Sequence, residues 1–182
     1  MTNANSFETE NLLLRHFTSN DVDPIYELRS DAEFMQHLTP IESREGVVSW
    51  IEYFSSYWKF NAGFWAVVLK ETNETIGWSG SWSQLEFEIG KMEIGYAIAK
   101  KYAGKGFATE AARVALDYTF KVRSAERVFA LATPGNTASH RIMEKLGMQV
   151  EGQQFFTSYN MEMIYYAISR EEFEKSLTCA SI

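Results

Sequence analysis

The chain has 182 residues, 46% of them apolar and 23% charged, and a formal net charge of -7. That length supports a packed core without disulfide or metal staples, and that composition excludes a disordered polymer. The acidic balance, with no basic run and no Lys/Arg stripe, excludes an electrostatic nucleic-acid surface, so no nucleic-acid partner is expected.

An acidic surface suits an amine or a basic peptide as well as it suits plain solubility. Cys179 is the single cysteine and has no partner for a disulfide, and it reads as a residue of a frayed tail. His16, His37 and His140 lack ligand spacing, so no metal is expected. The polar start, Met1 to Ser6, and the lack of any bilayer-length apolar run predict no membrane partner and a cytoplasmic location.

In chain order, Leu12 to Phe17 reads as a first strand, and Ser19-Asn20-Asp21 offers N-cap chemistry for a short helix carrying Ile25 and Leu28. Val47, Ile51, Phe54 and Trp58 recur at helical spacing and predict a second helix with one apolar stripe. Phe64 to Leu69 and Thr75 to Trp78 read as strands around the turn Glu71-Thr72-Asn73-Glu74. The next strand, Met92 to Ile98, alternates: Met92, Ile94, Tyr96 and Ile98 share one face, and Glu93, Gly95 and Ala97 the other. That second face has one carboxylate and two minimal side chains, leaving room for something to approach the backbone. Phe107, Ala111, Ala115 and Tyr118 define a helix packed through small residues. A strand, Arg127 to Ala132, and a helix, Ala138 to Leu146 stopped by Gly147, follow it. Met148 to Ile168 reads as two strands joined by a polar turn. The whole is expected to be one α/β (α+β) domain over residues 1–182, with its core from about residue 7 to about residue 170.

The segment that carries chemistry is Ala103-Gly104-Lys105-Gly106-Phe107-Ala108-Thr109, between a strand and a helix. Two glycines let successive amides turn toward one point, and the helix N-terminus adds partial positive charge there. The result is a cradle for phosphate. A dinucleotide fingerprint would need a glycine at Thr109, and a Walker loop would need Ser or Thr where Gly106 follows Lys105. A kinase would need a later catalytic-loop motif, which is absent. A coenzyme A diphosphate remains.

Leu12-Leu13-Leu14-Arg15, Glu93-Ile94-Gly95-Tyr96, and Gly104-Lys105-Gly106-Phe107-Ala108-Thr109-Glu110-Ala111 together resemble the GNAT acetyltransferases. Asn136-Thr137-Ala138-Ser139 and then Glu144-Lys145-Leu146-Gly147-Met148 are similar to the family's second cofactor motif. Order and spacing look most like the branch that acetylates the N-terminal alanine or serine of ribosomal proteins. The resemblance runs from about Leu12 to about Ile168. It implies the GNAT fold, a central mixed, mostly antiparallel sheet flanked by helices, and acetyl-CoA as co-substrate. It further implies that Tyr96, Ala97 and Ile98 pair their backbone with the pantetheine arm. By the same resemblance, Ala103 to Thr109 would hold the diphosphate and Asn136 would bond the pantetheine. Two positions depart from the pattern. Ala103 stands where Gln or Arg often opens the loop, and Met143 stands where many members carry a tyrosine used as general acid.

Direct transfer needs a neutral amine. Neutralising an α-amino group at pH 7 costs about 1.4 kcal/mol at most, and a lysine roughly 4–5. Glu93 is the candidate base, directly or through water, against the reading of a solvated or salt-bridged strand carboxylate. Ser139 is the candidate acid toward the leaving sulfur, against helix capping or cofactor contact without proton transfer. Trp78, Trp82, Tyr159 and Tyr165 are candidates for an acceptor pocket or for plain core, and Glu86-Phe87-Glu88 for attracting a cationic acceptor. The acceptor is expected to be a protein N-terminal α-amine or a small amine such as a polyamine or aminoglycoside, and the protein a monomer or homodimer. A CoA-binding sensor without turnover and a nucleotide-binding module are the competing readings.

Overall fold

The computed structural model describes residues 6–39, 41, 43–83, 91–157 and 159–179. Its strands form a mixed, mostly antiparallel sheet, hydrogen-bonded in the order β1-β2-β3-β4-β5-β6-β8-β7, with helices flanking it. The chain divides into two compact units, Met1–Gly80 with Tyr96–Val114, and Ser81–Gly95 with Ala115–Ile182. Strands β4 (Glu74–Ser83) and β5 (Lys91–Ile98) and helix α3 (Phe107–Lys121) contribute to both.

The first unit opens with β1 (Ser6–Glu8), a short strand not foreseen above, paired antiparallel with β2 (Leu12–Arg15). Leu12 and Leu14 are buried while Leu13 and Arg15 are half-buried, the period-2 pattern of a strand. Helix α1 (Val22–Ser30) starts directly after Asp21, its N-cap residue, as expected, but Ser19–Asp21 form a 3-10 turn opened by Thr18 and the Asp21 side chain makes no cap bond to α1. The physical reason lies in Asp21. Its carboxylate is buried and accepts two hydrogen bonds from Arg15 at 2.7 and 2.9 Å, one from the Thr75 hydroxyl at 2.6 Å and one from the Thr18 amide at 2.7 Å. It joins β2, the turn and β4 rather than capping a helix in solvent.

Helix α2 (Arg44–Ser56) starts where the Ser43 side chain accepts the Gly46 amide at 3.0 Å, and it buries Val47 and Ile51. The stripe's last member, Trp58, falls in a separate 3-10 turn, Tyr57–Phe60. Every residue of β3 (Gly63–Leu69) is buried, as its unbroken apolar run requires. Strand β4 closes tightly on β5: a Cβ at Gly77 would lie 2.0 Å from the Ala97 carbonyl oxygen, so only glycine permits this approach.

The second unit holds β6 (Arg127–Ala132), α4 (Thr137–Lys145), β7 (Gln149–Phe156) and β8 (Met161–Ser169). Strand β8 pairs antiparallel with both β6 and β7, with a bulge between Val150 and Gly152. Cys179, expected in a frayed tail, is instead the last residue of α5 (Arg170–Cys179), which follows β8 directly. Ser169 and Glu172 form a reciprocal cap, with the Ser169 amide and hydroxyl 2.8 and 2.7 Å from the Glu172 carboxylate and the Glu172 amide 3.3 Å from the Ser169 hydroxyl. Phe173 then stacks on Phe120 at 4.4 Å, which anchors the helix in the core. The stretch Glu86-Phe87-Glu88 lies outside the described residues.

Candidate active site

The glycine loop belongs to the first unit. After β5, a 3-10 turn (Lys100–Tyr102) is closed by Tyr102 N–H on the Ala99 carbonyl at 2.9 Å and Ala103 N–H on the Lys100 carbonyl at 2.8 Å. Gly104 and Gly106 then take φ of 78° and 86°, a left-handed backbone that L side chains resist. Glu110 N–H reaches back to the Gly106 carbonyl at 3.0 Å and closes the first turn of α3. The opening amides of such a helix have no intrahelical acceptor and carry the positive end of its dipole. A Cβ built at Gly104 or Gly106 meets nothing within 4 Å. The space left at both glycines is what an anion such as a diphosphate would require there.

Two neighbours hold this cradle in place. Tyr102 donates its hydroxyl to Glu74 at 2.6 Å, and Lys101 pairs with the same carboxylate. Glu110 accepts the backbone amide and the side-chain amide of Asn11 at 2.9 and 3.0 Å, which fastens the first turn of α3 to the start of β2. Phe107 is buried beneath the loop, and Ala103, Lys105, Ala108 and Thr109 are on its more open side.

Along β5 burial does not alternate as the residue pattern suggested. Met92, Glu93 and Ile94 are all buried, whereas Gly95, Tyr96, Ala97 and Ile98 are all half-buried. The parallel pairing of β5 with β6 explains the start of this change. It covers Lys91↔Arg127, Met92↔Val128 and Glu93↔Phe129 and ends there, although both strands run on, to Ile98 and to Ala132. Beyond Glu93 the strand keeps backbone groups that this ladder does not use, as pairing with an extended ligand arm would require.

In the second unit Glu93 is only 3% exposed, so it is not a solvated strand carboxylate. The Tyr159 hydroxyl donates to it, lying 2.8 Å from Oε1 and 3.0 Å from Oε2. Tyr159 sits in the turn between β7 and β8, where its amide bonds the Phe156 carbonyl at 3.2 Å and Asn160 adopts φ 51°. Tyr159 is therefore neither plain core nor a bare pocket wall, since its polar end is spent on Glu93. The other aromatics differ from it. Trp78 is buried against Phe34 and Trp50, and Tyr165 packs over Gly152, where a Cβ would come 2.7 Å from its ring. Trp82 is half-buried.

Asn136 is the N-cap of α4. Its Oδ1 accepts the Ser139 amide at 3.1 Å, and its carbonyl accepts the His140 amide at 3.2 Å. The side-chain oxygen is thus committed to the helix, and the amide nitrogen is the end left to donate. Ser139 is half-buried in the first turn, while Met143, one turn on, is fully enclosed. The site partners missed from sequence are Asn11 and Glu110, the latter signalled only by its place three residues into α3. Tyr159 was a candidate for the acceptor pocket, but its hydrogen bond to Glu93 had no signal, because turn and strand are far apart in the chain.

Among the described residues no three His, Cys, Asp or Glu side chains gather as a metal donor set, and no helix is long and apolar enough to cross a membrane.

The family profile described as an acetyltransferase (GNAT) domain matches residues 11–149. Over 149 residues the chain is 32% identical to the uncharacterized N-acetyltransferase p20 of Bacillus licheniformis, covering 79% of this chain and 82% of that one. It is similar to the solved structure of a GNAT-family acetyltransferase from Bacillus anthracis, with a TM-score of 0.77, 30% identity, and 91% and 99% of the two chains covered. It is also similar to a ribosomal-protein-S5-alanine acetyltransferase from Vibrio fischeri, with a TM-score of 0.72, 23% identity, and 92% and 98% covered. At that identity the last likeness is one of fold.

Proposed function

Since this chain belongs to the acetyltransferase (GNAT) family and is an N-acetyltransferase, we propose that it moves the acetyl group of acetyl-CoA onto a protein N-terminal α-amine by direct attack in a ternary complex. The observation that carries the chemistry is the buried Glu93 carboxylate, hydrogen-bonded by Tyr159, on the strand that leads into the glycine loop.

Acetyl-CoA supplies an activated thioester whose sulfur, with a reference thiol pKa of about 8.5, is a fair leaving group. The residues of this chain do the rest. The backbone of Gly104 to Thr109 binds the diphosphate, and the stretch of β5 past its pairing with β6, at Tyr96, Ala97 and Ile98, holds the pantetheine arm, with the Asn136 amide nitrogen donating to it. Ala103 lacks the side-chain contact that Gln or Arg would add, so anchoring rests on backbone amides. Glu93 accepts the amine's proton, directly or through one water, as the nitrogen bonds to the acetyl carbon and the carbon–sulfur bond breaks. A backbone N–H of β5 aimed at the carbonyl oxygen would contribute about 3 kcal/mol. Ser139 can offer its hydroxyl to the departing sulfur.

Two considerations favour an α-amine. It needs little help to become neutral near pH 7, which suits a site with one carboxylate. The motif spacing also resembles the ribosomal N-terminal branch, and a neighbour in fold is named for the alanine of ribosomal protein S5. The test is acceptor profiling with labelled acetyl-CoA across N-terminal peptides, polyamines and aminoglycosides. Preferred turnover of peptides with free α-amines supports the reading, and turnover of polyamines or aminoglycosides alone replaces the acceptor.

A further inference from the structure

We infer that Tyr159 is a positioning residue that gives Glu93 its route for returning a proton to solvent. The inference rests on Glu93 acting as the base proposed above.

A base must be regenerated in every turnover, and burial makes that a problem here. Glu93 lies between buried Met92 and Ile94 and is itself 3% exposed. A proton received by such a carboxyl needs a neighbour able both to accept and to donate. A phenol can do both, unlike a lysine or a backbone amide. The Tyr159 oxygen is within one hydrogen bond of either carboxylate oxygen, at 2.8 and 3.0 Å. Tyr159 itself is half-buried, against 3% exposure for Glu93, and stands in the turn between β7 and β8.

The transfer balances. In the resting state the phenol O–H donates to ionised Glu93. Once Glu93 carries the amine's proton, its O–H donates to the phenol oxygen. The carboxyl O–H bond breaks as a new phenol O–H bond forms, and the phenol's original proton passes to a water. Glu93 is again a carboxylate, Tyr159 is again a neutral phenol, and the water has gained one proton. The near-equal distances also hold both carboxylate oxygens against one hydroxyl, which restricts rotation of the base.

The experiment compares wild type, Tyr159→Phe, Tyr159→His and Glu93→Gln with a fixed peptide acceptor, over a series of imidazole concentrations at constant pH and ionic strength. Phe keeps the ring and removes the relay. The expected result for Tyr159→Phe is an acetyl-CoA Kd and acceptor KM near wild type, a kcat lowered about tenfold or more, and a kcat that climbs with imidazole. Tyr159→His, which restores a protic group, should be faster than Phe and less dependent on imidazole. Wild-type kcat in Tyr159→Phe, or a loss that imidazole leaves untouched in both Tyr159 variants, overturns the relay. Near-wild-type kinetics in Glu93→Gln would overturn the base assignment itself. A slow Glu93→Gln beside a fully active Tyr159→Phe removes the relay alone. Should Tyr159→Phe fail to fold, Tyr159→Leu, which also removes the protic group, takes its place in the same imidazole series with the same two outcomes.

Discussion

One residue, Asn11, supplies donors to both oxygens of the Glu110 carboxylate, its backbone amide to Oε1 at 2.9 Å and its side-chain amide to Oε2 at 3.0 Å. The acid of the first turn of α3 thereby ties the glycine loop to the start of β2. Glu110→Ala should cost about 1–3 kcal/mol of stability, because a charged acceptor and two donors lose their partners together. It should also weaken acetyl-CoA binding several-fold, since the turn that presents the amides is loosened. Thermal melts and binding titration of one variant check both. Unchanged affinity with reduced stability would confine Glu110 to the fold.

Asp21 predicts how the protein responds to acid. Burial pushes its pKa up, but hydrogen bonds from Arg15, Thr75 and Thr18 outweigh that, and the net shift is downward from 3.8. With the folded-state value below the unfolded one, the stabilisation is complete at neutral pH. It is lost as the pH falls from the ordinary carboxylate value through the lowered one. Asp21→Asn should be less stable than wild type by about 1.5–3 kcal/mol at pH 7, and the gap should narrow toward pH 3. Chemical denaturation at a series of pH values tests this, and a constant gap would contradict it.

Gly106→Val should fold and fail to bind acetyl-CoA. A Cβ there meets no protein atom within 4 Å, so the internal cost is the left-handed backbone, about 1–2 kcal/mol and somewhat more for a branched side chain. The branched carbons would occupy the space where the diphosphate is proposed to lie. Calorimetry with CoA gives the answer, and wild-type affinity in the folded variant removes the loop from the site.

Glu93→Gln keeps the shape of the side chain and a hydrogen bond with Tyr159 while losing basicity. Turnover should fall about 10²–10⁴-fold with acetyl-CoA affinity nearly intact. Raising the pH should recover part of the loss, as more acceptor becomes neutral. Steady-state rates from neutral to alkaline pH are the measurement, and unchanged rates throughout would leave Glu93 a structural residue.

At the N-cap of α4 two duties can be separated. Asn136→Asp retains an oxygen to cap the Ser139 amide but loses the nitrogen donor, so stability should hold while acetyl-CoA binding weakens. Asn136→Ala should lose about 0.5–2 kcal/mol of stability as well. Ser139→Ala should lower turnover modestly, since the thiolate can leave unaided. Binding, melting and rate data on the three variants settle the division. Equal affinity for Asp and Asn at position 136 would leave that side chain a helix cap only.

Local chemistry explains what could be read in advance. The apolar run of β3, the small-residue face of α3 and the glycines at 104 and 106 each declare themselves within a few residues, because spacing and backbone freedom are local properties. Helix α1 starts after Asp21 as expected, but the Asp21 side chain makes no cap bond to it, because it is drawn into a buried network with Arg15 and Thr75. Helix α5 was missed although Ser169 and Glu172 spell its start, since the segment after them is short and mostly polar. Tyr159 could not be placed on Glu93 from the chain alone. The two are 66 positions apart, and only the register of β8 with β6 and β7 brings the turn to that carboxylate.

The enclosure of Met143 limits how this enzyme could be improved. A tyrosine installed there would bring a ring and a hydroxyl into a space now filled by a flexible thioether with no exposed surface. Overfilling a packed interior costs about 1–3 kcal/mol, and the new hydroxyl would need a partner the cavity was not built to supply. Met143→Tyr is therefore a poor engineering step.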